Sequence, residues 1–172
     1  MSSNRLFRFP KPAWLNSALT RTAGVYMSGG LFAIALFTLI DASSFSKSPL
    51  NGSDFSVSFI DWVPGIFSAL GMLIINSIDK TRLASDNSFS YSGDGVAWKA
   101  RVVLFMGFAA LAGGLAGGVC VMVLKYLVPG AEWPALWMGV ANVVANALVS
   151  LSSVVLWVSQ NMEDEYSYNL QL

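Results

Sequence analysis

The sequence predicts an all-α polytopic membrane protein, a bundle of four transmembrane helices with both termini in the cytosol. Three observations predict it. Charged residues make up 12% of the 172-residue chain and hydrophobic ones 55%, with a mean hydropathy of +0.58, whereas soluble domains carry roughly a quarter charged residues. The apolar residues gather into four blocks, and a helix needs about 20 such residues to cross about 30 Å of hydrocarbon. Arg5, Arg8, Lys11, Arg21, Lys80, Arg82, Lys99 and Arg101 lie on one side of that pattern, against Lys47 and Lys125 on the other. The positive-inside rule then puts both ends in the cytosol and the loops at 41–61 and 125–133 in the lumen.

The first span, about 22–40, is free of charge between Arg21 and Asp41. The second, about 60–78, is short and draws on the preceding "FSVSFID" for a turn at the interface. The third, about 102–124, and the fourth, about 134–158, are long enough to cross with some tilt. Trp133 reads as an interfacial belt residue and Pro134 as a first-turn proline. Together they form one four-helix domain, 22–158. Residues 1–21 form a basic and aromatic segment suited to a cytosolic headgroup region, although Pro10 and Pro12 argue against one continuous helix. The first span reads as a signal anchor, because a polar basic stretch stands where a cleavable leader would be apolar. Residues 159–172 read as an acidic cytosolic tail, and 79–101 as a solvated loop.

Composition narrows the chemistry. A net charge of zero and the lack of a basic patch interleaved with aromatics argue against a nucleic-acid partner. There is no His, and Cys120 is the single thiol, which rules out an internal disulfide, His-based metal sites and most nucleophile–base pairs. No catalytic residue, metal site or cofactor is therefore expected. Cys120 reads as a small packing residue. The only glycosylation sequon, Asn51-Gly52-Ser53, falls in a predicted lumenal loop, which makes Asn51 a candidate N-glycosylation site; Asn-Gly is also a common turn.

Inside the third span, "GFAALAGGLAGGVC" carries Gly113 and Gly117, and likewise Gly114 and Gly118, four apart, with Ala109 and Ala110 extending both rows. A phosphate loop needs a strand before the glycines and a helix after them, which this context lacks. Small residues at this spacing let a second backbone approach where lipid supplies no hydrophobic drive, so the rows read as a helix-packing interface, with a flexible kink as the competing reading. In the fourth span Asn142, Asn146 and Ser150 recur every four residues. Amides in hydrocarbon are costly unless bonded, so this face points into the bundle or toward a partner. Asn76 lies near the cytosolic end of the second span, and Asp41 and Asp61 near the lumenal boundary. No ionisable residue falls at mid-span, where a coupled carrier usually places one.

"LIDAS" at 39–43, "GMLIINSI" at 71–78, "ARVVLFMGF" at 100–108, "WPALWMGVAN" at 133–142 and "MEDE" at 162–165 together resemble the transmembrane protein 50 family. The resemblance implies a four-span endomembrane protein without enzyme activity, acting in late endosome to vacuole traffic and reached through the ER and Golgi. It also implies a partner, a small multi-span membrane protein resembling vacuolar protein sorting 55. Two functional readings follow: a membrane scaffold or assembly subunit held to partner helices, and a small oligomeric carrier or channel with a polar track along the fourth span.

Overall fold

The computed structural model describes residues 18–78 and 94–160. The basic N-terminal stretch before Ala18, the connection at 79–93 and the acidic tail from 161 lie outside the described residues. Long apolar runs free of the period-2 alternation of barrel strands satisfy their backbone amides in hydrocarbon as helix. Four long helices result among the described residues: α1 (Ala18–Ser46), α2 (Phe59–Asn76), α3 (Asp94–Val121, prolonged by a π-helical turn Met122–Leu127) and α4 (Leu136–Gln160). Each is long and apolar enough to cross a membrane, and there is no strand among the described residues.

The helix ends differ from the expected spans for local reasons. Nothing between Asp41 and Ser46 breaks a helix, so α1 continues six residues past Ile40 and reaches 29 residues, about 44 Å at about 1.5 Å per residue. It stops where Pro49 opens a single 3₁₀ turn (Pro49–Asn51), whose Ser48 hydroxyl accepts the Leu50 N–H at 3.3 Å. Gly52 follows at φ +56°, a left-handed conformation that glycine adopts at little cost. α3 begins eight residues before the expected boundary, and α4 begins at Leu136 because Trp133 and Pro134 sit in a turn ahead of it.

Pairings along the chain define the topology. Ser152 bonds to the Ser28 carbonyl and Trp137 to Asp41, so α1 runs antiparallel to α4. Gly71 meets Gly107 and Leu111, while Pro64 meets Gly114, so α2 and α3 are antiparallel. Ser68 meets Asn146 and Asn76 meets Ser153, so α2 and α4 run parallel. α4 is the middle helix and touches all three others, whereas α1 packs chiefly along α4. One apolar cluster (Ala35, Ile75, Leu111, Ala145, Val149) sits at mid-depth. A second (Ala42, Tyr126, Ala135, Met138, Ala141) sits toward the end that holds Asp61.

Candidate functional site

The Asp61 end of the bundle begins with a helix start. Ser58 precedes α2, and Asp61 three residues on accepts the Ser58 N–H at 2.6 Å, the returning half of a capping box. Asp61 is 4% exposed. A buried carboxylate is tolerated only when paired and bonded, and four groups do this. Lys125 forms an ion pair with Oδ2, and the Ser58 hydroxyl donates to the same oxygen at 3.0 Å. The Tyr126 hydroxyl donates to Oδ1 at 3.1 Å. Lys125 also donates to the Ser58 hydroxyl at 2.9 Å and lies 5.5 Å from the Tyr126 ring centroid.

The π-turn brings the neighbours Lys125 and Tyr126 to one carboxylate. Its wide pitch is marked by the Val128 N–H bonding back five residues to the Val123 carbonyl at 2.9 Å. Tyr126, with no exposed surface, fits because Gly139 of α4 leaves room for its ring: a Cβ there would lie 2.9 Å from Tyr126 Cδ2.

From Asp61 a ladder of amides descends into the bundle. Pro64 lacks the N–H that would serve the Ile60 carbonyl and loosens this turn of α2. The adjoining Asp61 carbonyl accepts the Asn142 side-chain amide at 2.8 Å. Asn146 Nδ2 donates to both the Asn142 carbonyl and Asn142 Oδ1, each at 2.8 Å. Its Oδ1 accepts the Ser68 hydroxyl at 2.6 Å. Ser150 caps the row by donating to the Asn146 carbonyl of its own helix at 2.9 Å. Nearer the other end, Asn76 Nδ2 donates to the Met72 carbonyl at 2.9 Å and to Ser153 at 3.2 Å, while its Oδ1 is buried without a partner.

The two glycine rows of α3 have different fates. Gly114 and Gly118 face inward: a Cβ on Gly114 would lie 2.7 Å from the Pro64 carbonyl and 2.8 Å from the Ser68 nitrogen, and one on Gly118 would lie 3.0 Å from Asn146 Nδ2. Their missing side chains let α3 close on α2 and α4 around the ladder. Gly117 makes only ordinary contact with the Pro64 ring, and Gly113 faces open space. Ala109 is exposed beside Gly113, and Ala110 is half-buried. Cys120 is exposed on the same outward side, so its thiol does not pack within the chain.

Two predicted residues stand outside the ladder. Asp41 is exposed and accepts the Trp137 indole N–H at 3.3 Å. Asn51 is buried and holds the connection between α1 and α2: its amide donates to the Phe55 carbonyl at 2.7 Å and to the Ser46 carbonyl at 3.3 Å, and Ser53 donates back to it at 2.7 Å. The residues that sequence reasoning missed are Ser58, Ser68, Lys125 and Tyr126. The spacing from Ser58 to Asp61 signalled a cap, and Lys125 is the one cation between the third and fourth spans. Nothing in the sequence marked Ser68.

Residues 2–166 match the family described as "Uncharacterised protein family (UPF0220)". The chain is 48% identical to vacuolar protein sorting-associated protein 68 of Saccharomyces cerevisiae, over 97% of this chain and 96% of that protein. It is 47% identical to UPF0220 protein C8D2.02c of Schizosaccharomyces pombe, over 89% of each. It is 34% identical to the transmembrane protein 50 homolog of Dictyostelium discoideum, over 81% of this chain and 91% of that protein. No solved structure matches it.

Proposed function

This chain belongs to the UPF0220 family, and from that premise we infer that it is a non-catalytic assembly subunit of an endomembrane complex in late endosome to vacuole sorting. The vacuolar sorting role rests on the name of a relative that is nearly half identical along almost its whole length. The assembly role rests on one observation, the outward face of α3. There Ala109, Ala112, Gly113, Ala116 and Cys120 are all exposed, and their spacing of three and four residues aligns them in one stripe. A second helix can approach such a face closely enough for dispersion and weak polar contacts to hold it. The partner is a small multi-span membrane protein resembling vacuolar protein sorting 55, and the complex resides in late endosomal or vacuolar membrane with both termini cytosolic.

The carrier reading finds less support. Asn142 and Asn146 are buried and bonded to Asp61, to Ser68 and to each other, so the polar row is occupied by its own partners. The test is purification in gentle detergent at native expression, with mass spectrometry of what stays bound. Stoichiometric recovery of a small multi-span protein, lost in Gly113→Leu and kept in Gly113→Ala, is the expected result. Recovery of the chain alone, together with solute flux in proteoliposomes, would overturn the assembly reading in favour of a carrier.

A further inference from the structure

Because α1 reaches the bundle through α4, it stands apart from α2 and leaves a cleft of about 180 Å³ between them. Phe32 and Leu36 of α1 form one wall, Trp62 and Ala69 of α2 the other, and Ala145 and Val149 of α4 the floor. In water such a cleft would close by burying its apolar walls. Inside hydrocarbon that drive is absent, and an empty cleft forfeits the dispersion contacts of every atom lining it.

Size and chemistry select what fills it. A cavity of roughly 150 Å³ accepts one benzene, whereas a helix with side chains is roughly 10 Å across, so a run of methylenes fits and a partner helix does not. The Leu39 side chain narrows the gap further, since a Cβ on Gly65 would lie 3.0 Å from it. Every lining side chain is hydrocarbon except Trp62. Its indole N–H makes no hydrogen bond among the described residues and is not shut away from the surroundings. Trp62 follows Asp61 directly, at the boundary end of α2, the depth at which Trp rings sit among the headgroups. An apolar slot with one free donor at its boundary end matches an acyl chain with an ester carbonyl at its head.

We propose that the cleft between α1 and α2 seats one acyl chain of a glycerophospholipid, running from Trp62 toward Ala69 and Val149, with the Trp62 N–H donating to the ester carbonyl. The chain fills the gap that α1 and α2 leave beside their contact at Leu39 and Gly65. This inference stands apart from the sorting role.

The full chain would be reconstituted in dioleoyl phosphatidylcholine vesicles containing a minor share of phosphatidylcholine with a diazirine midway along one acyl chain. Irradiation and peptide mass spectrometry then locate the adducts. The expected result is enrichment on the stretches 32–39 and 66–69 over the exposed Phe105 and Met106 of α3, with the cleft adducts lost in Ala69→Leu and the α3 adducts retained. Equal labelling of cleft and α3 face, meaning ordinary surrounding lipid only, would overturn the proposal. So would cleft adducts that survive Ala69→Leu, or a cleft free of adducts. Should Ala69→Leu fail to fold, the distribution on the unaltered chain decides alone.

Discussion

Asn146 has no exposed surface, and its amide joins Ser68 of α2 to Asn142 of its own helix. Replacing it with Leu leaves a hydroxyl and a carbonyl unpaired in a dry interior, at about 1–3 kcal/mol for each orphaned group. Asn146→Leu is therefore expected to lower the thermal unfolding midpoint in detergent well below that of Ser150→Ala, which removes only a bond to the preceding turn. Equal midpoints would show that the ladder does not hold the helices. A second contrast lies one residue apart. Gly114→Ala drives a methyl into the Pro64 carbonyl and the Ser68 backbone, overpacking of about 1–3 kcal/mol, whereas Gly113→Ala meets nothing within 4 Å. Unfolding curves for the pair should separate accordingly. That difference was illegible in the sequence, because neighbouring glycines in a helix apolar on all sides carry no mark of which side faces protein.

At the scale of elements, the spans were legible because hydrocarbon thickness imposes a minimum length and charges interrupt the runs; the pairings were not. Asp61 and Lys125 are 64 positions apart, and α3 shows no polar stripe to orient it. From sequence, the short α1–α2 connection reads as a turn or a glycosylation site. Asn51 donates to three carbonyls there, those of Ser46, Ser53 and Phe55, and a glycan on Nδ2 would displace them. Peptide N-glycosidase treatment of the protein from its native membrane is expected to leave its electrophoretic mobility unchanged; a shift would mean that this connection rearranges. α1 depends on α4 through small residues and the Ser152–Ser28 bond. Since Ser152 is fully buried, Ser152→Leu is expected to lower the thermal unfolding midpoint in detergent.

At the scale of the molecule, the class of fold followed from composition, and the central place of α4 did not. Its amides hinted at burial, but the hint named no neighbours. Four spans bring Ala18 and Gln160 to one side of the membrane, so tags placed before the first and after the second should share one fate in a protease-protection assay on sealed vesicles. Opposite fates would show that one helix does not cross. The Asp61 cluster fastens α2 to the end of α3, so Asp61→Ala strands Lys125 without its partner. Removing one member of a buried pair costs about 3–5 kcal/mol, at the lower end here because the Lys125 side chain is 29% exposed. The expected outcome is a lower unfolding midpoint.

Of the four spans, the helix that the others lean on is the last to be synthesised. Until residues 136–160 enter the membrane, α1 lacks its main neighbour, the α2–α3 hairpin lacks its third wall, and Ser68 waits in lipid without its acceptor. During synthesis α1 and the α2–α3 hairpin are therefore joined into one body only when the fourth helix arrives. A premature stop after α3 should yield a rapidly degraded fragment rather than a smaller working protein.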